Sequence, residues 1–254
     1  MGKNFWKIVN DVIQDSDVLL LLLDARLVKE TRNKEIEEKV KKAGKTLIFV
    51  VTKSDLANKD DVEKYKKQLK PCVFVSAIKH HGTTMLRDRI FIEASKSKIG
   101  YKVIRVGILG YPNVGKSTLI NALSGRKAAK TSSMSGYTTG VQKVRADPRI
   151  ILLDTPGVIP YKEKDDAKHA FIGTQDHTKI KDPDVIVMKL MEEYPGKIEE
   201  HYKIDVKIDD PSYDLEETLE KIAVKKKLIK KGNNPDIDRV SRMILKDWQE
   251  GKIV

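Results

Sequence analysis

The chain has a single cysteine, Cys72, among its 254 residues. A disulfide framework within the chain is therefore excluded, and a thiolate-built metal cluster has too few ligands. Cys72 lies in the apolar stretch Cys72-Val73-Phe74-Val75, where a buried structural thiol is expected. Long hydrophobic runs are missing too. The longest, Val18 to Leu23, falls far short of the roughly 20 apolar residues that span a bilayer. Residues 1–10 carry no cleavable signal pattern, so a cytoplasmic protein with no membrane contact is expected. Histidine is scarce: there are five, and none precedes His80. No internal repeat is visible.

Charge is abundant. The sequence is 34% charged and 40% hydrophobic, with a net charge of +12, which fits a soluble, helix-rich globular protein with polyanionic partners. The excess is uneven. Residues 1–180 carry 34 Lys/Arg against 20 Asp/Glu, and residues 181–254 carry 15 against 17. The length suffices for one large α/β domain and a smaller appendage.

Hydrophobic periodicity orders the chain. Residues 4–15 place Phe5, Trp6, Val9, Val12 and Ile13 at helical spacing. Apolar runs at Val18–Leu23, Thr46–Val51 and Cys72–Val75 predict strands, Val103–Leu109 reads as the next, and Val141–Ala146 and Ile150–Leu153 read as paired strands around the turn Asp147-Pro148. Helices are predicted over Lys34–Lys42, Asp60–Leu69, from Gly82 to about Ser95, and over Lys116–Leu123. Residues 125–140 read as a loop. Alternating strands and helices predict a mainly parallel sheet with helices on both faces. Past residue 180 the strand runs stop. Asp182-Pro183, Asp214 and Asn234-Pro235 each open a predicted helix. Their inward residues are expected to be Val185, Met188 and Met191; Leu215, Leu219, Ile222 and Leu228, stopped by Gly232; and Val240, Ile244 and Trp248, stopped by Gly251. Two domains are expected, 1–180 and a helical 181–254.

The most specific pattern is Gly110-Tyr111-Pro112-Asn113-Val114-Gly115-Lys116-Ser117, followed by Thr118. It fits G-x-x-x-x-G-K-[ST] between a predicted strand and helix. Glycine there lets backbone N–H groups curl around phosphate oxygens, and the helix N-terminus adds partial positive charge. Lys116 then reaches the β- and γ-phosphates, and the Ser117 hydroxyl serves magnesium. A second pattern, Asp154-Thr155-Pro156-Gly157, follows an apolar strand. Asp154 there can hold a magnesium-bound water, and the Gly157 N–H can sense the γ-phosphate. A third, Thr52-Lys53-Ser54-Asp55, resembles the guanine motif N-K-x-D with Thr in place of Asn. A carboxylate at Asp55 accepts from guanine N1–H and the 2-amino group. Adenine would leave it buried and unpaired, a mismatch worth roughly 10⁴-fold in discrimination. Lys53 would pack its stem along the base or ribose. Ser76-Ala77 completes the set, with the Ala77 N–H directed to guanine O6.

The order of these patterns is informative. Ordinary GTPases place the phosphate loop first, then the D-x-x-G turn, then the base motifs. Here the base motifs at 52–55 and 76–77 precede the phosphate loop at 110–117 and the turn at 154–157. The expected fold is therefore α/β: a circularly permuted Ras-like G domain followed by a small C-terminal helical domain, with the D-x-x-G switch feeding directly into that second domain.

With these motifs the chain resembles the circularly permuted GTPases of the YlqF type, which act in assembly of the large ribosomal subunit. The resemblance also rests on Asp24-Ala25-Arg26, on Ser135-Gly136-Tyr137-Thr138 where that family often has P-G-x-T, and on the helical character of Lys225 to Trp248. It implies GTP hydrolysis, with Thr138 (or its neighbour Thr139) as the switch I magnesium ligand beside Ser117 and Asp154, and with Lys116 and Thr138 catalytic. It also implies a potassium ion at Asn113, beside the phosphates. Val158 stands where many GTPases carry a water-positioning glutamine, and the family's N-terminal histidine has no counterpart here; His169 and His177 are candidates for that role. Lys221, Lys225, Lys226, Lys227, Lys230 and Lys231 cluster in one predicted helix. Such a cluster suits phosphate-backbone contact, and the resemblance implies ribosomal RNA and the pre-ribosomal large subunit as partners of a monomer. The alternative is a GTP-regulated adaptor that binds proteins through the helical tail without RNA. An ATP-using enzyme is disfavoured by Asp55.

Overall fold

The computed structural model describes residues 2–96, 103–125, 141–157, 165–206, 208, 210 and 213–253. The chain divides into two compact units, Met1–Lys164 and Asp165–Val254.

The first unit opens with helix α1 (Gly2–Asp15), then strand β1 (Val18–Asp24), the short helix α2 (Val28–Thr31), α3 (Lys34–Lys42), β2 (Thr46–Thr52), α4 (Lys59–Gln68), β3 (Cys72–Phe74) and α5 (Thr83–Lys96). It continues with β4 (Ile104–Leu109), α6 (Lys116–Ser124), β5 (Gln142–Asp147) and β6 (Ile150–Asp154). The sheet order is β3-β2-β1-β4-β6-β5, parallel except where β5 runs antiparallel to β6. Every residue of β1 is buried, as expected of a strand covered on both faces. Leu19, Leu21 and Leu23 join Val9, Val12 and Ile13 of α1, Ile36 and Val40 of α3 and Val62 of α4 in one apolar cluster. The alternate residues Val18, Leu20 and Leu22 are buried as well, and α5 packs against β1, β2 and β3. Cys72 is half-buried and its thiol pKa is pushed up to about 11 by desolvation, which makes it a poor nucleophile.

The second unit is helical: α7 (Asp166–Phe171), α8 (Pro183–Glu193), α9 (Lys197–Tyr202), α10 (Leu215–Lys225) and α11 (Ile237–Gln249). It begins earlier than residue 181 because α7 belongs to it. The Trp248 indole N–H donates to the Phe171 carbonyl (3.0 Å), and the Gln249 amide donates to that of Ala170 (2.9 Å). On α11 the expected Val240, Ile244 and Trp248 face inward, joined by Ser241 and Leu245. The N-cap of this helix is Asp236, whose carboxylate accepts from the Arg239 N–H.

Two features of this unit differ from expectation. On α8 the buried stripe is Ile186, Val187, Leu190 and Met191, while Val185 is 42% exposed. Four consecutive apolar residues, Val185 to Met188, hide the phase of the helix. Asp182 forms no side-chain cap; Pro183 alone marks the start. Helix α10 stops at Lys225, well before Gly232. Lys227 is left-handed (φ 58°), and Ile229 pairs with Pro235 in a turn. The lysine cluster is thus not one helix face: Lys221 and Lys225 end α10, and Lys226, Lys227, Lys230 and Lys231 occupy the turn after it, all exposed.

Candidate functional site

Parallel strands bring their C-terminal ends to one edge of the sheet, where α/β proteins bind ligands. Asp24 lies opposite Thr52 in the register of β1 and β2, and Ile108 lies opposite Asp154 in that of β4 and β6. The loops that leave these ends carry the motifs.

The phosphate loop connects β4 to α6. At Gly110 the backbone adopts φ +147°, and a Cβ there would meet the Leu22 carbonyl oxygen at 2.9 Å. Asn113, half-buried, is left-handed at φ 62°. Val114 is buried and Ser117 and Thr118 are half-buried in the first turn of α6, where unpaired backbone N–H groups attract anions. The Lys116 ammonium curls back to the loop's own carbonyls, Gly110 at 3.1 Å and Tyr111 at 2.7 Å. Burial pushes its pKa down to about 8, against the favourable field of Asp154.

Asp154 ends β6 and is 1% exposed. Burial raises its carboxyl to about 6, opposed by Lys116 and by the Thr155 N–H. Its Oδ1 is buried and has no hydrogen-bond partner among the described residues. Beyond it, Gly157 lies against the phosphate loop: a Cβ on Gly157 would come within 2.4 Å of the Pro112 nitrogen. The D-x-x-G turn and the phosphate loop are therefore in contact.

The base motifs follow β2 and β3. The Thr52 hydroxyl, 2% exposed, donates to the Val114 carbonyl (2.6 Å) and has the Leu23 carbonyl 2.9 Å away. The threonine that replaces the usual asparagine thus fastens the base loop directly to the phosphate loop. Lys53 is left-handed and leads the short 3-10 turn Ser54–Leu56 that contains Asp55. The Ser54 N–H donates to Val75 (3.3 Å), tying this turn to the end of β3. Ser76 is buried and exchanges backbone bonds with His81 across a tight loop, which leaves Ala77 half-buried at the rim.

The structure thus gathers Thr52, Val114, Gly115 and Lys116 with Asp154 and Gly157, and flanks them with the turns of Lys53–Asp55 and Ser76–Ala77. Thr138, with Thr139, and Val158 lie outside the described residues. His169 and His177 belong to the second unit. Two residues to which the sequence assigned no role stand in this region: Asp24, 3% exposed, and Arg26, which pairs with it at 2.9 Å. A carboxylate closing a wholly apolar strand was a usable signal, since Asp154 closes β6 the same way.

Comparison with known proteins agrees with this geometry. A sequence profile described as 50S ribosome-binding GTPase matches residues 105–230. That stretch of the chain is similar to this GTPase family. The profile leaves both base motifs of the GTPase domain outside its match, as the permuted order requires. An uncharacterized GTP-binding protein of Methanocaldococcus jannaschii is 41% identical over 252 residues, covering 97% of this chain and 65% of that protein. Nucleolar GTP-binding protein 2 of Neurospora crassa is 33% identical over 263 residues, covering 99% of this chain and 41% of that protein. The chain thus spans less than two thirds of these relatives. The crystal structure of GNP-bound YlqF from T. maritima superposes with a TM-score of 0.66 at 22% identity, covering 98% of this chain and 95% of that one. The GTPase domain therefore has the YlqF fold. Among the described residues, no helix is long and apolar enough to cross a membrane.

Proposed function

We propose that this chain binds and hydrolyses GTP as a switch in assembly of the large ribosomal subunit, contacting ribosomal RNA. The observation that carries the reading is the junction of base loop, phosphate loop and D-x-x-G turn at one sheet edge, fastened by Thr52 to Val114 and closed by Gly157 on Pro112. In this reading Asp55 accepts from guanine N1–H and the 2-amino group, the Ala77 N–H meets O6, and Ser76 shapes the loop behind it. Lys116 exchanges the Gly110 and Tyr111 carbonyls for the β- and γ-phosphate oxygens, and the N–H groups of Val114 to Thr118 line the same phosphates.

The residues present fit magnesium. Asp154 offers a buried carboxylate oxygen that has no partner among the described residues, and Ser117 offers a hydroxyl. Among the described residues no group of three or more His, Cys, Asp or Glu side chains could hold a metal. That agrees with an ion that takes one carboxylate and otherwise relies on hydroxyl, water and phosphate oxygens. Ser117, Asp154 and Thr138 would hold it, and when bound it neutralises charge on the phosphates. For potassium, the Asn113 amide at the crest of the loop is the proposed oxygen donor.

The description of the matched profile, 50S ribosome-binding GTPase, supports the ribosomal half of the reading. So do the exposed lysines of the second unit. Lys225 reaches the Lys203 carbonyl (2.6 Å), Lys226 lies over the Tyr202 ring (5.0 Å) and Lys230 stands 3.6 Å from Asp236. These are surface contacts, which RNA phosphates can displace at little cost. Co-sedimentation with large-subunit precursors tests the proposal. Binding should be salt-sensitive and differ about 5- to 150-fold between GTP-analogue and GDP forms. Equal binding in both forms, or retention of protein partners after RNase treatment, would favour the adaptor instead.

A further inference from the structure

Strand β1 ends on a carboxylate with a crowded set of donors. Asp24 Oδ1 accepts from the Arg26 backbone N–H (3.0 Å) and from Arg26 Nε (3.1 Å). Oδ2 accepts from Arg26 Nη2 (2.9 Å) and from Lys53 Nζ (2.7 Å). The side chains of Asp24 and Arg26 are 4% and 7% exposed, and that of Lys53 is 23% exposed. Burial alone would raise the Asp24 carboxyl, but Lys53 and Arg26 outweigh it and hold the group well below the usual carboxylate range. It is therefore ionised throughout the neutral range.

Arg26 by itself satisfies this charge with a bidentate pair and a backbone bond. A second cation is not needed for neutrality, and it is unfavourable: Lys53 is desolvated and stands beside a like charge, which together lower its pKa despite Asp24. Stability of the ion pair does not explain why Lys53 is drawn in. Its place in the chain does. Lys53 holds a left-handed backbone (φ 52°), uncommon for a residue with a side chain. Its carbonyl accepts from the Leu56 N–H (2.9 Å), closing the turn that carries Asp55. The other end is fixed as well. The Asp24 N–H donates to the Thr31 hydroxyl (3.0 Å), and the Ala25 N–H donates to the Thr52 carbonyl (2.9 Å).

We propose that Asp24 is a positioning residue for base recognition: by gripping the Lys53 ammonium it fixes the strained turn that presents Asp55, and it turns the lysine's aliphatic stem rather than its charge toward the nucleotide base. The proposal rests on the guanine-binding reading above. Arg26 serves as the counter-ion that keeps the Asp24 carboxylate aimed.

The test is a double-mutant cycle read by titration with fluorescent GDP and ADP. Asp24→Asn and Lys53→Met should each weaken GDP binding about tenfold, and the double variant should be no weaker than either single one, because the two residues act through one contact. ADP binding should be unaffected. A single variant that binds GDP like the wild type overturns the proposal. So does a double variant whose loss is the product of the two, which is the pattern of a merely structural Asp24. If Asp24→Asn does not fold, Lys53→Met decides alone, since it leaves the Asp24–Arg26 pair in place. Failure of the guanine reading is seen separately: the unmutated chain would not prefer GDP to ADP.

Discussion

Asp154→Asn should make the nucleotide-free protein more stable while crippling its use of GTP. Asp154 is 1% exposed and has one oxygen without a partner among the described residues. Burial raises its pKa from 3.8 to about 6. The folded value lies above the unfolded one, so this carboxyl contributes stability while protonated. That contribution is full below about 4 and is lost as the pH rises through about 6. A shift of that size corresponds to about 3 kcal/mol at neutral pH as an upper bound, and loss of the Asp154 field on Lys116 offsets part of it, which leaves about 1–2 kcal/mol. The assay is urea denaturation of nucleotide-free protein at pH 7.5 and pH 4.5. The asparagine variant should gain that amount at pH 7.5, and the gain should shrink at pH 4.5, where the wild-type carboxyl is protonated. Magnesium-dependent GTP binding should fall by at least about tenfold, through loss of the one carboxylate charge offered to the ion. A variant less stable than the wild type at pH 7.5 would refute the argument that this carboxylate is held at a cost for an ion.

Three further outcomes follow from the same edge of the sheet. Gly157→Ala puts a carbon where the Pro112 nitrogen lies 2.4 Å away, so the turn must leave the phosphate loop; GTP-analogue affinity should drop about tenfold with GDP affinity less affected, as read by fluorescent nucleotide titration. Guanine should be preferred to adenine by at least about 10³-fold, and Asp55→Asn should relax this; competition of labelled GDP by ATP at near-equal affinity would contradict it. Potassium should stimulate hydrolysis more than sodium, and Asn113→Ala should remove the difference; equal rates in the two salts would leave Asn113 a turn residue.

Most of the first unit was legible because β1, β2, β3 and β6 are largely apolar runs bounded by turns. Lys34–Lys42 and Lys116 as a helix start were read to the residue. The Thr52 role was not legible: replacing an asparagine by threonine looks like a weakened motif, and only the 2.6 Å bond to Val114 reveals a fastener. The role of Asp24 is hidden in the sequence because its partner Lys53 lies 29 residues away. In the helical unit, isolated apolar positions such as Val240, Ile244 and Trp248 gave the correct phase. The crowded run from Val185 to Met188 did not. The end of α10 was missed because lysines are good helix formers, and nothing local announces that Lys227 turns left-handed.

The position of β1 has a consequence for how the chain is made. This wholly apolar strand sits between β2 and β4, and its second neighbour comes roughly 80 residues later in the sequence. On the ribosome, α1 through α5 emerge as a three-stranded sheet whose central-strand-to-be is still an open edge. Unpaired apolar edges recruit other chains. A nascent chain halted after α5 should aggregate or hold a chaperone, and extension through β4 should release it; a soluble, monomeric fragment ending at residue 96 would count against this. By giving residues 104–109 the task of covering that edge, the permuted order makes the phosphate half the part that renders the base half safe to release.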